Sequence, residues 1–403
     1  MTFSLPNGIK VAYRRAPGSA LFAASLVYRC GVDEEGDAPG IRAVSGWALL
    51  RASSGQMARV ESLGGRAELD IGLDYLAFKV AVPLSASIDA LLLLSTIASG
   101  PKLKGEDVRW AKARALKELR RRLKEPFNFA LLALRRGLYG RKGYGLPEWG
   151  TEKGLKEATK GRVEEFIRGR LVPKRAFLGV ACDIPSLELT ALLRATLGLV
   201  EGRRAFREPE PPRLSKEFEG LTVREGPGRL ARVAVGFPAP SVRSPEFPAA
   251  KVLSALLGGG LGGVVSRRLR GEMGLAYRVA SLCPGLEGEG YIAVCAEVAP
   301  LKVEEATRAI LGAISEVRAG NISPSDVERA KNRAVGEELL PLESPVELSF
   351  RMALWEALGV GADFCERLGR EIFGLRPRAV LEASRRFLSR YHIAVVMPRV
   401  EAP

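Results

Sequence analysis

Apolar residues recur along this chain with two different spacings, every second position in some stretches and every three or four in others. Ile9 to Arg14 and Phe22 to Tyr28 read as strands, the first preceded by the turn signal Asn7-Gly8. Ile41 to Ala52 reads as a helix, Tyr75 to Val82 alternates as a strand, and Leu84 to Ala98 is an apolar helix. Val108 to Lys124 is a long helix and Phe177 to Ala181 a closing strand. The longest apolar run, Ile88 to Ile97, is interrupted by Asp89 and Ser95. It is far shorter than the roughly 20 residues that span a bilayer, so it predicts a buried helix and no membrane segment.

The pattern then repeats. Asp107-Val108-Arg109-Trp110-Ala111-Lys112-Ala113-Arg114-Ala115 is echoed by Asp326-Val327-Glu328-Arg329-Ala330-Lys331-Asn332-Arg333-Ala334, an offset of 219 residues. Pro126 pairs with Pro345 at the same offset. The strand-like run Tyr75 to Pro83 matches Tyr291 to Pro300, and apolar helices follow both, the second from Val303 to Val317. Two halves of one design are therefore expected, a domain over 1–204, a linker over 205–215 and a second domain over 216–403. The joining stretch from Arg203 to Ser215 holds Pro209, Pro211 and Pro212 among charged residues, as a linker should. Strands mixed with separate helical runs predict an α+β fold: two homologous domains, each a mainly antiparallel sheet with helices on one face.

Composition adds limits. At 403 residues, 47% hydrophobic and 27% charged, the chain is long enough for two ordinary globular domains. Five scattered cysteines (Cys30, Cys182, Cys283, Cys295 and Cys365) include no C-x-x-C pair, which argues against a disulfide framework and against a cysteine zinc site. The net charge of +15 raises the question of a nucleic-acid or membrane partner. The basic residues from Arg109 to Lys124 interleave with Ala, Leu and Glu at helical spacing, which is the pattern of a solvated, arginine-rich face, so no nucleic acid and no membrane are expected as partners. Gln56 is the only glutamine, a depletion that suits a thermophilic host. No basic segment followed by an apolar run opens the chain, so a cytoplasmic location is expected.

Candidate chemistry is sparse. Gly258 to Gly263 lacks the Lys-Ser/Thr ending of a phosphate loop and reads as a close-packed turn before a helix. The chain holds one histidine, His392, which opens the apolar strand Ile393 to Met397 and reads as a strand-end residue with a local hydrogen bond. No two-histidine metal site can form within one such chain.

Several short segments, in order, resemble a known family. Leu5 to Val11, Gly31 to Gly40, Glu61 to Ala67 and Leu73 to Tyr75 are similar to the opening strand and the surroundings of the metal helix in the pitrilysin-type (M16) zinc peptidases. The resemblance extends over essentially the whole chain and implies the metallohydrolase fold shared with LuxS and the mitochondrial processing peptidases. In that family the helix carries an inverted motif, H-x-x-E-H: two histidines on one helical face hold zinc, and the glutamate is the general base for the bound water. The resemblance puts Arg42 and Gly46 at the histidine positions and Ser45 at the base, in Arg42-Ala43-Val44-Ser45-Gly46, and Glu118 at the later ligand. One carboxylate cannot hold zinc alone, so no metal ligand set and no cofactor are expected in this chain.

In the second half, Leu269-Arg270-Gly271-Glu272-Met273-Gly274-Leu275-Ala276-Tyr277 resembles the family's LR-x-x-x-G-L-A-Y element. There an arginine and a tyrosine seven residues apart hold the substrate carbonyl; Arg270 and Tyr277 stand at those positions. Guanidinium and phenol both donate hydrogen bonds to oxygen. As residues alone, Arg270 is one more arginine beside Arg267 and Arg268, and Tyr277 opens a strand to Ser281. The resemblance implies the zinc-lacking subunit of a heterodimeric peptidase, like the alpha-type chains of mitochondrial processing peptidase. Its partners would be a homologous zinc-bearing M16 subunit and an extended peptide, with no catalysis by the chain alone. Two other classes stay open, a scaffold subunit as in respiratory-complex relatives and a nucleic-acid binder. Whether Arg270 and Tyr277 point into a chamber or are locked in surface salt bridges separates the first reading from the scaffold.

Overall fold

The computed structural model describes residues 1–202 and 210–399. Part of the linker expected from Arg203 to Ser215, namely 203–209, lies outside the described residues. The first sheet contains β1 (Thr2–Ser4), β2 (Lys10–Arg15), β3 (Leu21–Arg29), β4 (Arg66–Ile71), β5 (Tyr75–Pro83) and β6 (Ala176–Cys182), in the order β1-β2-β6-β3-β5-β4. The second contains β7 (Gly220–Gly226), β8 (Ala231–Ala239), β9 (Ala276–Leu282), β10 (Gly290–Val298) and β11 (His392–Pro398), in the order β7-β11-β8-β10-β9. Apart from β1 the two orders are the same. In each sheet a single parallel pair, β2 with β6 or β7 with β11, joins otherwise antiparallel neighbours. The duplication read from a few helical residues is thus a duplication of sheet topology.

The helices Ile41–Ala52, Val303–Ala319 and Gly105–Lys124 form where the apolar spacing puts them. All five cysteines are free and buried, and burial pushes the thiols of Cys283 and Cys295 up to about 12, so they behave as small apolar side chains. Among the described residues no helix is long and apolar enough to cross a membrane.

The chain forms two compact units that are not contiguous in sequence. One comprises Met1–Leu119, Pro147–Glu210 and Leu340–Phe364; the other comprises Arg120–Leu146, Pro211–Leu339 and the segment from Cys365. The two exchanged segments hold the helices Pro345–Ala357 and Pro126–Tyr139, which begin at the paired prolines. Proline at a first helical turn costs no hydrogen bond, because the amide it lacks has no acceptor there. In the first unit the Pro345–Ala357 helix covers one face of the sheet. Alternation along β5 shows which face: Tyr75 stacks 5.3 Å from Phe350 and the Lys79 ammonium lies 3.6 Å above the Phe350 ring. Leu76, on the other face of β5, lies instead beside Gly46 of the Ile41–Ala52 helix. Helices that one half supplies to one face are thus joined by a helix of the other half on the second face. This explains why β6 is buried at every residue.

The seat of that helix is tight. A Cβ on Gly179, in β6, would stand 1.8 Å from the Ser349 carbonyl oxygen, and the buried hydroxyls of Ser25 and Ser349 are hydrogen-bonded at 2.9 Å. Gly179→Ala is expected to push the helix off its sheet and lower unfolding free energy by about 3 kcal/mol or more, as read from urea denaturation. Ser25→Ala, which removes one hydroxyl without adding volume, should cost only about 1 kcal/mol.

Candidate functional site

The Ile41–Ala52 helix starts after Gly40, whose φ of 110° is open to glycine but strained for other residues. Gly40 donates its N–H to the Glu35 carboxylate at 2.8 Å. Arg42, in the first helical turn, is completely buried. Its Nε meets the same carboxylate at 3.2 Å. Its Nη1 donates to the carbonyls of Cys30 (2.6 Å) and Tyr75 (2.9 Å), and its Nη2 to that of Glu148 (3.2 Å). One guanidinium thereby ties the end of β3, the turn around Glu35, the start of β5 and the loop at Glu148. Burial pushes the Glu35 carboxyl up to about 7, against the pull of Arg42 and of the Gly40 amide.

One helical turn on, Gly46 faces β4 and β5. A Cβ there would stand 2.8 and 2.9 Å from the Leu69 methyls and 3.2 Å from a Leu76 methyl. Ser45 is buried with no hydrogen-bond partner for its hydroxyl among the described residues. Glu118 sits half-buried on the Gly105–Lys124 helix and has interactions of its own. These four positions are not one cluster. Arg42 belongs to the polar knot and Gly46 to an apolar contact.

What faces the Gly105–Lys124 helix is Trp47. Its ring lies 6.0 Å from that of Trp110 and 6.5 Å from that of Trp149, and the Arg114 guanidinium stands 4.9 Å above it. Glu118 follows Arg114 by one helical turn. Sequence reasoning missed this aromatic cluster; the signal was present as Trp110 and Arg114 four residues apart on a helix. The residue one turn before Trp47 on the same face is Ala43. Neither i, i+4 pair, Arg42 with Gly46 or Ala43 with Trp47, offers an imidazole, and a guanidinium repels a cation. These residues do not fit a zinc ion, whichever register is taken. Among the described residues no group of three or more His, Cys, Asp and Glu could hold a metal. The one histidine is engaged elsewhere: His392 Nδ1 donates to the Phe218 carbonyl at 2.6 Å, Nε2 accepts from the Thr222 hydroxyl at 2.9 Å, and burial lowers its pKa so that it is neutral at pH 7.

Arg270 and Tyr277 have a different setting. Arg267–Glu272 forms a π-helical turn, a widened geometry that is rare and recurs at functional sites. Gly274, at φ 60°, lets the chain reverse, and Leu275 N–H closes back on the Leu269 carbonyl at 2.7 Å. Arg267 is paired with Asp326 at 3.1 Å and Arg268 with Glu316 at 2.8 Å. Arg270 is exposed and Tyr277, on the edge strand β9, is 82% exposed; neither side chain makes a hydrogen bond or ion pair with the described residues. The glycine run before this turn packs closely, since Gly258 has Ser281 against it and Gly260 has Arg333.

Two outcomes test the first cluster. Arg42→Ala strands a buried carboxylate and should cost about 3–5 kcal/mol in urea denaturation, whereas Glu35→Gln with Arg42→Met should recover part of it. Gly46→His must displace Leu69, so it should destabilise by about 1–3 kcal/mol and bring no zinc binding in a metal titration.

Residues 157–334 match the family described as peptidase M16 inactive domain. An uncharacterized zinc protease of Mycobacterium leprae is 25% identical over 354 residues, which cover 84% of this chain and 78% of that protein. A crystal structure of a peptidase M16 inactive domain from Pseudomonas fluorescens superposes with a TM-score of 0.88 at 18% identity, over 100% of this chain and 98% of that one. A chain of complex III from Candida albicans superposes with a TM-score of 0.85 at 16% identity, over 98% and 95%. Residues 157–334 thus match the peptidase M16 inactive domain, the chain as a whole has the fold of solved structures described as M16 peptidases, and it is similar in sequence to proteins named zinc proteases.

Proposed function

We propose that this chain is the zinc-lacking subunit of a two-chain M16 peptidase. A homologous partner brings zinc and the general base, and this chain brings Arg270 and Tyr277. The observation that carries the reading is a contrast between neighbours: Arg267 and Arg268 are held by carboxylates, while the side chains of Arg270 and Tyr277 are displayed without a partner among the described residues. An unpaired guanidinium and a free phenol are donors ready for an oxygen that gains negative charge at the scissile carbonyl. An extended peptide would add to a sheet edge, and β9 is an edge strand of the second sheet.

A scaffold role without proteolysis is the second reading, and the likeness to a chain of complex III supports it. The two separate in one experiment. The chain is purified alone and together with a co-expressed homologue that carries H-x-x-E-H. Alone it should contain no stoichiometric zinc and cleave no peptide; the pair should cleave. Arg270→Ala or Tyr277→Phe should lower kcat by roughly 10²–10³ with assembly unchanged. Full activity of the double variant would leave only the scaffold, and zinc with peptide turnover in the single chain would overturn both.

A further inference from the structure

A second group of arginines lies in the unit that contains β7, on the surface between β7 and the Pro126–Tyr139 helix. A cavity of about 190 Å³ there is lined by Arg136, Arg141 and Arg224, by the Thr222 hydroxyl, and on its apolar side by Phe129 and Leu132. Among the described residues no carboxylate lines it. The side chains of Arg136 and Arg141 make no hydrogen bond or ion pair with the described residues, and that of Arg224 donates only to the Val223 carbonyl, at 3.2 Å. Burial, and then the charges of Arg141, Arg135 and Arg224, hold the Arg136 pKa below its ordinary value. Other arginines are held by carboxylates: the buried Arg42 by Glu35, the buried Arg232 by Glu297 and the exposed Arg267 by Asp326.

Like charges gathered around a concavity repel one another, and that repulsion is relieved when an anion enters. A simpler account would be the preference of cations for a helix C-terminus, since Arg136 and Arg141 flank the end of the helix at Tyr139. That account leaves Arg224 out, because it comes from a strand. A helix end also carries only about half a charge, too little for three guanidinium groups. Thr222 spends its proton on His392 Nε2, so the donors that face the cavity are guanidinium N–H groups. Guanidinium forks match the oxygens of a tetrahedral oxyanion, and several cations suit a dianion better than a single carboxylate.

We propose that the Arg136–Arg141–Arg224 cavity is a binding site for a phosphate-type dianion. The oxyanion sits among the three guanidinium groups. Phe129 and Leu132 are the surface against which an apolar body attached to it would lie. The source is either free phosphate or a phosphate ester, and the two share this recognition chemistry.

The test uses the full chain in a chloride buffer, with calorimetry and thermal melting. Inorganic phosphate and sulfate should each bind with one-to-one stoichiometry and raise Tm. Arg136→Gln with Arg141→Gln should weaken phosphate binding at least tenfold, while its phosphate-free Tm stays level or rises because mutual repulsion is gone. Arg194→Gln, an exposed arginine of the other unit, should change neither. If the double variant fails to fold, Arg224→Gln carries the same test. Phenyl phosphate binding tighter than phosphate assigns the site to an ester; equal or weaker binding assigns it to the free ion. Absence of one-to-one binding by both phosphate and sulfate, or binding that the arginine variants leave untouched, overturns the site.

Discussion

A guanidinium with no access to water must be given acceptors on every side, and Arg42 determines what the surrounding backbone does. Removing a cation from water costs several kcal/mol even after relaxation. Here the compensation comes from one carboxylate and three carbonyls that belong to four separate segments. None of those segments can move without leaving the charge short of a partner. The same charge makes this end of the Ile41–Ala52 helix hostile to a metal ion. A position that could be read as a lost ligand is therefore a built structural knot, and the helix it anchors is held by ionic and apolar contacts in place of coordination bonds.

The strands and most helices could be read from periodicity because each needs only local information. The partition of the two exchanged helices could not. Amphipathic spacing says that a helix from Pro345 to Ala357 has an apolar side; it does not say which sheet that side covers. The sequence does hold one hint. Ala176 to Cys182 is apolar almost without interruption, a pattern that calls for cover on both faces, while the helices of its own half account for only one. The glycine at 179 was the second hint, since a glycine inside a buried strand marks the close approach of another backbone.

The site was legible in residue type and not in direction. Successive helical positions differ by about 100°, so a shift of one residue turns a side chain from Glu35 and Leu69 toward Trp110 and Arg114. The resemblance named Arg42, Ser45 and Gly46, whereas the side chain packed on the helix of Glu118 is Trp47. The exclusion of a two-histidine site does not depend on that register, since it follows from composition: the chain has one imidazole, and both of its nitrogens are hydrogen-bonded. Arg270 and Tyr277 were named by the resemblance of their segment to a family element. Their exposure and lack of partners became visible only in three dimensions, since Arg267, Arg268 and Arg270 look alike in sequence and differ in which carboxylates reach them.

That difference is the more general lesson of a chain with 61 basic and 46 acidic residues. Net charge cannot separate a solvated surface from a binding surface, because exposed ion pairs and free cations add to the same total. Pairing can. An arginine fixed to a carboxylate has spent its donors, and its energy is already part of the fold. An arginine that the fold leaves unpaired raises the energy of the empty protein, through desolvation and through repulsion from its neighbours, and so favours whatever anion restores the balance. In this protein two such places differ from their surroundings, Arg270 beside two paired neighbours, and Arg136 and Arg141 around a cavity that no described carboxylate lines. At the second of these places the ground is concave and has an apolar side, so like charges that face one another there are screened less well than on open surface, and an anion that enters relieves more repulsion.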